Sequence, residues 1–265
     1  MIYLNNKLVE IKKFPNGETF INTQELNIKE QNIIKLKFQG DEEIMHLVFL
    51  KKYLDENNQS ASLKIGYIPY SRMDRTEGIA LFTLKYFCLV INSLNFILVD
   101  VYEPHSDVSV ALIDRVRVVN KSAEMARNMI RELSKKQEKL FVVYPDAGAQ
   151  KRYSKQIKYD NILTANKERD FKTGNIKSLE ITGKNPGGSF NAIIVDDLCS
   201  RGGTFMLTAK KLKEMGAKDI YLVVTHCEDT IFEGDILKTD LIKNVFTTDS
   251  ILTKKHEKLV VVKIN

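Results

Sequence analysis

Two adjacent carboxylates, Asp196 and Asp197, end the apolar run Ile193-Ile194-Val195 and lead into Leu198-Cys199-Ser200-Arg201-Gly202-Gly203-Thr204. The order is strand, acidic step, paired glycines, helix. Glycines let backbone N–H groups come close to a phosphate, and the following helix N-terminus favours the anion. Paired carboxylates suit sugar hydroxyls, or Mg2+ held through water. Ligands of open α/β sheets bind at the carboxyl ends of the strands, where this segment falls. Taken alone, Asp-Asp with Gly-Gly is more often an ordinary strand–turn–helix, so the rest of the chain has to decide.

Four more segments carry polar groups in loop-like settings. Pro69-Tyr70-Ser71-Arg72-Met73-Asp74-Arg75 sets Arg72, Asp74 and Arg75 in a turn. Tyr144-Pro145-Asp146-Ala147-Gly148-Ala149 follows an apolar run and presents Asp146. Lys167-Glu168-Arg169 brings two cations into a polar stretch, Thr164–Ile181, that reads as a mobile loop beside a site. Phe14-Pro15-Asn16-Gly17-Glu18 reads as a β-turn at Asn16-Gly17. His105 follows Glu103-Pro104 and precedes Ser106-Asp107. A lone histidine is usually structural, but at a strand's carboxyl end it suits a metal or a phosphate.

These groups have to be positioned by regular elements. The strand candidates are Ser62–Ile68, Phe96–Val101, Leu140–Val143, Ala192–Val195, Ile220–Thr225 and Leu259–Ile264, nearly uniformly apolar as in strands covered on both faces. Helical patterns fill Glu42–Tyr53, Ala80–Leu94, Ser122–Leu133 (with Ser122 as N-cap) and Thr204–Met215, which stops at Gly216. Alternating strands and helices mean an α/β fold with mostly parallel sheets. The pattern occurs twice, in residues 1–125 and 126–265.

Composition narrows the class. The 265 residues are 43% hydrophobic and 28% charged, with a net charge of +6. That excludes a disordered or collagen-like chain. Three cysteines, Cys88, Cys199 and Cys227, fit neither a zinc site nor a disulfide framework. No apolar run spans a bilayer and the N-terminus is not a secretory signal, so the expected setting is cytoplasmic. The basic residues are scattered without interleaved aromatics, which gives no support to nucleic-acid binding.

Asp196–Thr204 resembles the phosphoribosyl-diphosphate binding motif of the type I phosphoribosyltransferase fold. The segments at Phe14–Glu18, Pro69–Arg75, Tyr144–Arg152 and Lys167–Arg169, in this order, narrow the resemblance to the ribose-phosphate diphosphokinase family. It implies two tandem phosphoribosyltransferase-like domains. It also implies Mg2+-dependent transfer of the β,γ-diphosphoryl group of ATP to the anomeric hydroxyl of ribose 5-phosphate, releasing AMP.

Carried over residue by residue, the resemblance makes Lys167 and Arg169 catalytic. Phe14, Asn16, Glu18, Arg72, Asp74, Arg75 and His105 face ATP. Asp146, Asp196, Asp197, Ser200, Arg201, Gly202, Gly203 and Thr204 hold the ribose phosphate. His105 and Asp146 are the metal ligands. Where the family has Asp-Leu-His, this chain reads Val101-Tyr102-Glu103-Pro104-His105, and we assign the ligand role to His105 over Tyr102. His226 reads as a supporting residue.

Ser200 and Arg201 replace an acidic residue and a threonine in the phosphate loop. The change makes the loop more positive and suits a larger anionic acceptor. One alternative therefore keeps the chemistry and takes ADP-ribose, giving ADP-ribose pyrophosphate. Others are a phosphoribosyltransferase, or a non-catalytic regulatory paralogue. The expected partners are the two substrates and further copies of the chain in a homo-oligomer, with neither nucleic acid nor membrane.

Overall fold

The computed structural model describes residues 1–76, 78–135, 139–169 and 176–264, the side chains of 167–169 and 176–178 excepted. The chain divides into two units, Met1–Val119 and Asn120–Asn265.

In the first unit the elements run β1 (Ile2–Leu4), β2 (Lys7–Leu8), β3 (Ile11–Lys13), β4 (Thr19–Ile21), β5 (Gln31–Leu36), α1 (Glu42–Glu56), β6 (Ser60–Ile65), α2 (Thr83–Ser93), β7 (Val99–Tyr102), α3 (Asp107–Leu112) and β8 (Val116–Val119). The sheet order is β2-β1-β5-β6-β7-β8, parallel from β5 to β8, with β1 antiparallel to both neighbours. The strands β3 and β4 form a separate antiparallel hairpin. Leu47, Leu50 and Leu54 of α1 and Leu84, Phe87, Cys88 and Ile91 of α2 recur at helical spacing. They pack on Ile34, Leu36, Leu63, Ile65, Val99 and Val101 of the central strands. At the start of α1, Glu43 accepts from the amides of Gln39 (3.2 Å) and Gly40 (2.7 Å), satisfying donors near the helix N-terminus.

The second unit runs α4 (Lys121–Ser134), β9 (Leu140–Tyr144), α5 (Ala147–Ile157), β10 (Ile162–Arg169), β11 (Ile176–Gly183), β12 (Phe190–Cys199), α6 (Gly203–Glu214), β13 (Ala217–Cys227), β14 (Asn244–Thr248) and β15 (Leu259–Val262). Its sheet order is β11-β10-β9-β12-β13-β14-β15, all parallel except β10 with β11. Leu140, Val142 and Tyr144 of β9, with Ile193, Val195, Tyr221 and Val223, pack with α4 and α5. Phe141, Val143, Ala192, Ile194, Ile220, Leu222 and Val224 pack with α6. Burial on both faces is why these strands read as unbroken apolar runs.

Several expectations change. Ser122 is not the N-cap of α4; Asn120 is, and Ser122 is fully buried. The expected division at 125/126 falls inside α4, whose Ala123, Met125, Ala126 and Met129 all pack on the second sheet. Thr164–Ile181, read as a loop, is largely the antiparallel pair β10–β11, in register from Leu163↔Gly183 to Glu168↔Ser178 and shifted by a bulge before Arg169↔Ile176; residues 170–175 lie outside the described residues. Among the described residues, no helix is long and apolar enough to cross a membrane.

Candidate functional site

In the second unit β9 and β12 run parallel, with Val143 paired to Ile194, so Asp146 and the Asp196–Asp197 pair leave the sheet at the same edge. Asp146 caps α5, its Oδ1 accepting from the Ala149 amide at 2.9 Å. That bond orients the carboxyl and satisfies one of the helix's first donors. Asp197 is 6% exposed, and Arg152 of α5 donates from Nη1 to its Oδ2 at 3.1 Å. Asp196 has a pKa well above its ordinary value. Burial is the main cause, and the charges of Asp197 and Asp146 push the same way, against an opposing hydrogen bond from the Asp197 amide (2.9 Å). A half-buried carboxylate beside two like charges is a place where a sugar hydroxyl or a cation lowers the free energy.

Ser200, Arg201 and Gly202 then lead into α6. Gly202 caps the helix with φ +79, and a Cβ there would come within 2.1 Å of Ile236 Cδ1. Only glycine fits both the left-handed backbone and the contact. At Gly203 a Cβ would have nothing within 4 Å, so there is open space beside the first turn of α6. The Ser200 hydroxyl lies 2.9 Å from that of Thr230, which donates to Glu228 Oε2 at 3.1 Å. Arg201 donates to Glu233 Oε2 from Nε (2.9 Å) and Nη2 (2.7 Å). The guanidinium expected to make the loop more positive is therefore neutralised in this structure.

Behind the acidic step, His226 is buried, with Nδ1 2.9 Å from Ser250 Oγ.

In the first unit, Pro69–Arg75 follows β6 and His105 follows β7. Asp74 is 9% exposed and Arg75 donates to its Oδ1 at 3.0 Å. Burial raises the Asp74 pKa, but the Ser106 hydroxyl, Arg75 and the charge of His105 outweigh it and leave the carboxyl below its ordinary value. The fold thus brings Asp74, Arg75 and His105 together, although the sequence between Arg75 and His105 includes all of α2 and β7. Arg72 is exposed, while Tyr102 is buried at 4%. Tyr70 donates to Asp41 Oδ1 at 2.6 Å, and burial with the Asp41 charge pushes its phenol up to about 12. Phe14, Asn16 and Glu18 stand exposed on the β3–β4 turn, where the Gly17 amide donates to the Phe14 carbonyl at 2.8 Å and Glu18 N to Asn16 Oδ1 at 3.2 Å. Phe14 packs edge-on against Phe20, ring centroids 5.8 Å apart.

Lys167 and Arg169 lie at the far end of β10, paired with Leu179 and Ile176; their side chains lie outside the described residues. Among the described residues, no three His, Cys, Asp or Glu side chains converge as a ready metal cage. The carboxylates at the strand ends are still hard oxygen donors, which suits an ion that keeps most of its waters and takes its other ligands from phosphates.

Sequence reasoning missed Arg152, Glu228, Thr230 and Glu233. Arg152 stood in a quoted motif without a role, and the other three lie in a segment that carried no signal.

No family model matches the chain. A ribose-phosphate pyrophosphokinase of Sulfurisphaera tokodaii is 31% identical over 260 residues, covering 92% of this chain and 84% of that protein. Another, from Mycoplasmopsis pulmonis, is 29% identical over 280 residues, covering 98% and 84%. In fold, the chain is similar to the crystal structure of phosphoribosylpyrophosphate synthetase from Mycobacterium smegmatis, with a TM-score of 0.77 at 16% identity over 97% of this chain and 86% of that one. These relationships, joined to two α/β units and an acidic step that runs into a glycine loop, place the chain in the ribose-phosphate pyrophosphokinase family, as an enzyme of the transferase class.

Proposed function

We propose that the protein transfers the diphosphoryl group of ATP to the anomeric hydroxyl of ribose 5-phosphate and releases AMP. The observation that carries this reading is the step from Asp196–Asp197 to the N-terminus of α6, with Asp146 at the same edge. Carboxylates accept sugar hydroxyls, and the amides of Gly203 and Thr204 receive the 5-phosphate. Ser200 and Gly202 shape the loop, and the backbone of Arg201 completes it.

In the first unit, Asp74, Arg75 and His105 form the polar cluster that takes ATP, with Arg72 beside them. The exposed Phe14, with Asn16 and Glu18, offers an aromatic face for adenine, which a neighbouring copy in a homo-oligomer would use. Lys167 and Arg169 stabilise the phosphoryl oxygens as charge builds on them, the main demand such a transfer makes of a protein. Mg2+ fits beside Asp146, and beside His105 on the ATP side; when bound it neutralises phosphate charge. The protein's own residues hold the acceptor hydroxyl in line and keep its neighbours fixed.

ADP-ribose has the same anomeric hydroxyl, but the guanidinium that would favour its second phosphate is engaged by Glu233. The structure therefore favours ribose 5-phosphate. The test is AMP release from ATP and Mg2+ with each acceptor offered separately and the product weighed by mass spectrometry. AMP release with ribose 5-phosphate is expected. Release with ADP-ribose alone moves the acceptor, and release with neither overturns the reading. Lys167→Ala and Arg169→Ala are each expected to lower kcat by about a hundredfold or more, with circular dichroism unchanged.

A further inference from the structure

Where the two carboxylates leave the second sheet, a side chain of α4 enters the join between β12 and β13. The Ser122 hydroxyl donates to the Asp196 carbonyl at 2.7 Å and accepts from the Thr225 amide at 2.9 Å. The Thr225 hydroxyl lies 2.8 Å from it. Ser122 Oγ thus uses its one proton and both lone pairs. It is fully buried, as is Thr225.

The strands change at this step. The ladder runs Val195↔Val223, Asp196↔Val224, then Leu198↔His226 and Cys199↔Cys227. Ile194 and Val224 face the core of α6, and so do Cys199 and Cys227, each an odd number of residues further on. Strict alternation would send them to the other face, so both strands slip together between the acidic pair and the cysteines. A second layer fixes the slip: the Thr225 carbonyl accepts from Thr248 Oγ1 (2.7 Å), Thr247 Oγ1 (3.3 Å) and Ser250 Oγ (3.3 Å).

We propose that Ser122 is a positioning residue for the acceptor site: its hydroxyl, set between β12 and β13, fixes the backbone slip that presents Asp196 and Asp197 to the ribose hydroxyls. The inference rests on the reading that these carboxylates hold the acceptor. Without the hydroxyl, the Asp196 carbonyl and the Thr225 amide lose their shared partner and the strands relax toward plain alternation. ATP, taken elsewhere, is unaffected.

The experiment compares Ser122→Ala, Ser122→Cys and Ser122→Thr with wild type. Ribose 5-phosphate binding is followed by calorimetry, and KM and kcat are measured for each substrate. Ile220→Val, a buried change at the other end of β13, controls for general destabilisation. Ser122→Ala is expected to raise the ribose 5-phosphate Kd and KM about tenfold, with the ATP KM unchanged. Ser122→Cys, which keeps the bulk but donates weakly, is expected to fall between Ala and wild type, and it carries the test if the Ala variant does not fold. Ser122→Thr restores wild-type values within about twofold, and Ile220→Val moves neither KM. An unchanged acceptor KM in both Ala and Cys variants overturns the inference. So does a parallel rise in both KM values, or an equal rise from Ile220→Val. Wild-type protein that binds no ribose 5-phosphate overturns the functional reading itself, and this inference with it.

Discussion

Arg152 Nη1 lies 3.1 Å from Asp197 Oδ2, so a helix that begins at Asp146 returns, along α5, to hold the second of the two strand-end carboxylates. One short element therefore sets Asp146 as its own cap and supplies the cation for Asp197. Removing Arg152 leaves a carboxylate that is 6% exposed with one donor fewer. Arg152→Ala is expected to cost about 2 kcal/mol of stability and to raise the acceptor KM, with little change for ATP. Arg152→Lys keeps the charge but not the planar donor geometry, and falls between the two. Urea melts and the two KM values check this; an Ala variant as stable as wild type, with an unchanged acceptor KM, refutes the role.

Asp196 is the counterweight. Its ordinary pKa is 3.8, and in the folded protein burial with the charges of Asp197 and Asp146 lifts it well above that. Folding therefore favours the protonated acid. The stability this group contributes is fully present below 3.8 and is lost as pH rises through the folded pKa. Asp196→Asn removes that loss. The variant is expected to be more stable than wild type at neutral pH, with a flatter stability–pH curve above pH 4, while acceptor binding falls. In wild type, ribose 5-phosphate affinity should rise with pH through the same titration, because the carboxylate accepts hydroxyls and the neutral acid accepts them poorly. Melts across pH and binding isotherms decide; equal pH slopes in the two proteins would count against it.

The parts legible in the sequence are those whose physics is local. The strands β9, β12 and β13 are apolar because both faces are covered, and Asp196–Thr204 is contiguous. What escaped is set by distance in the chain. The Arg152 guanidinium meets a carboxylate 45 residues on, and Arg201 meets Glu233 32 residues on. Neither separation leaves a periodic trace. The helix α5 was hidden because only Ala149, Tyr153 and Ile157 of its eleven residues are buried, leaving a polar stretch around them. Ser122 sits where N-caps sit, and only the tertiary structure shows its hydroxyl turned inward between two strands. The β10–β11 pair reads as loop because its charge outweighs its alternation.

Gly202 is held by two separate constraints. Its φ of +79 disfavours any side chain, and a Cβ would meet Ile236 Cδ1 at 2.1 Å. Gly202→Ala is expected to cost more than about 2 kcal/mol, of which left-handed backbone accounts for about 1. In an Ile236→Ala background the contact is gone, so the same glycine substitution should cost only the backbone part. A double-mutant cycle measures the difference as coupling. Additive effects would mean that Ile236 does not restrict the loop.

Arg201 and Glu233 make an exposed pair, at 72% and 56% side-chain exposure. Such pairs contribute little to stability, so Glu233→Gln is expected to change it by less than about 0.5 kcal/mol. Acceptor choice is the more direct readout of the pair. Released from Glu233, the guanidinium beside the phosphate loop becomes available to an acceptor that carries a second phosphate. Glu233→Gln should therefore raise the kcat/KM ratio of ADP-ribose to ribose 5-phosphate by about twofold, the worth of one exposed ion pair. Salt should erode that gain, since the new contact is solvent-exposed. Arg201→Ala in the same background should abolish it. If the ratio does not move in Glu233→Gln, the pairing does not govern acceptor choice, and the preference for ribose 5-phosphate has to come from the shape of the loop between Ser200 and Thr204.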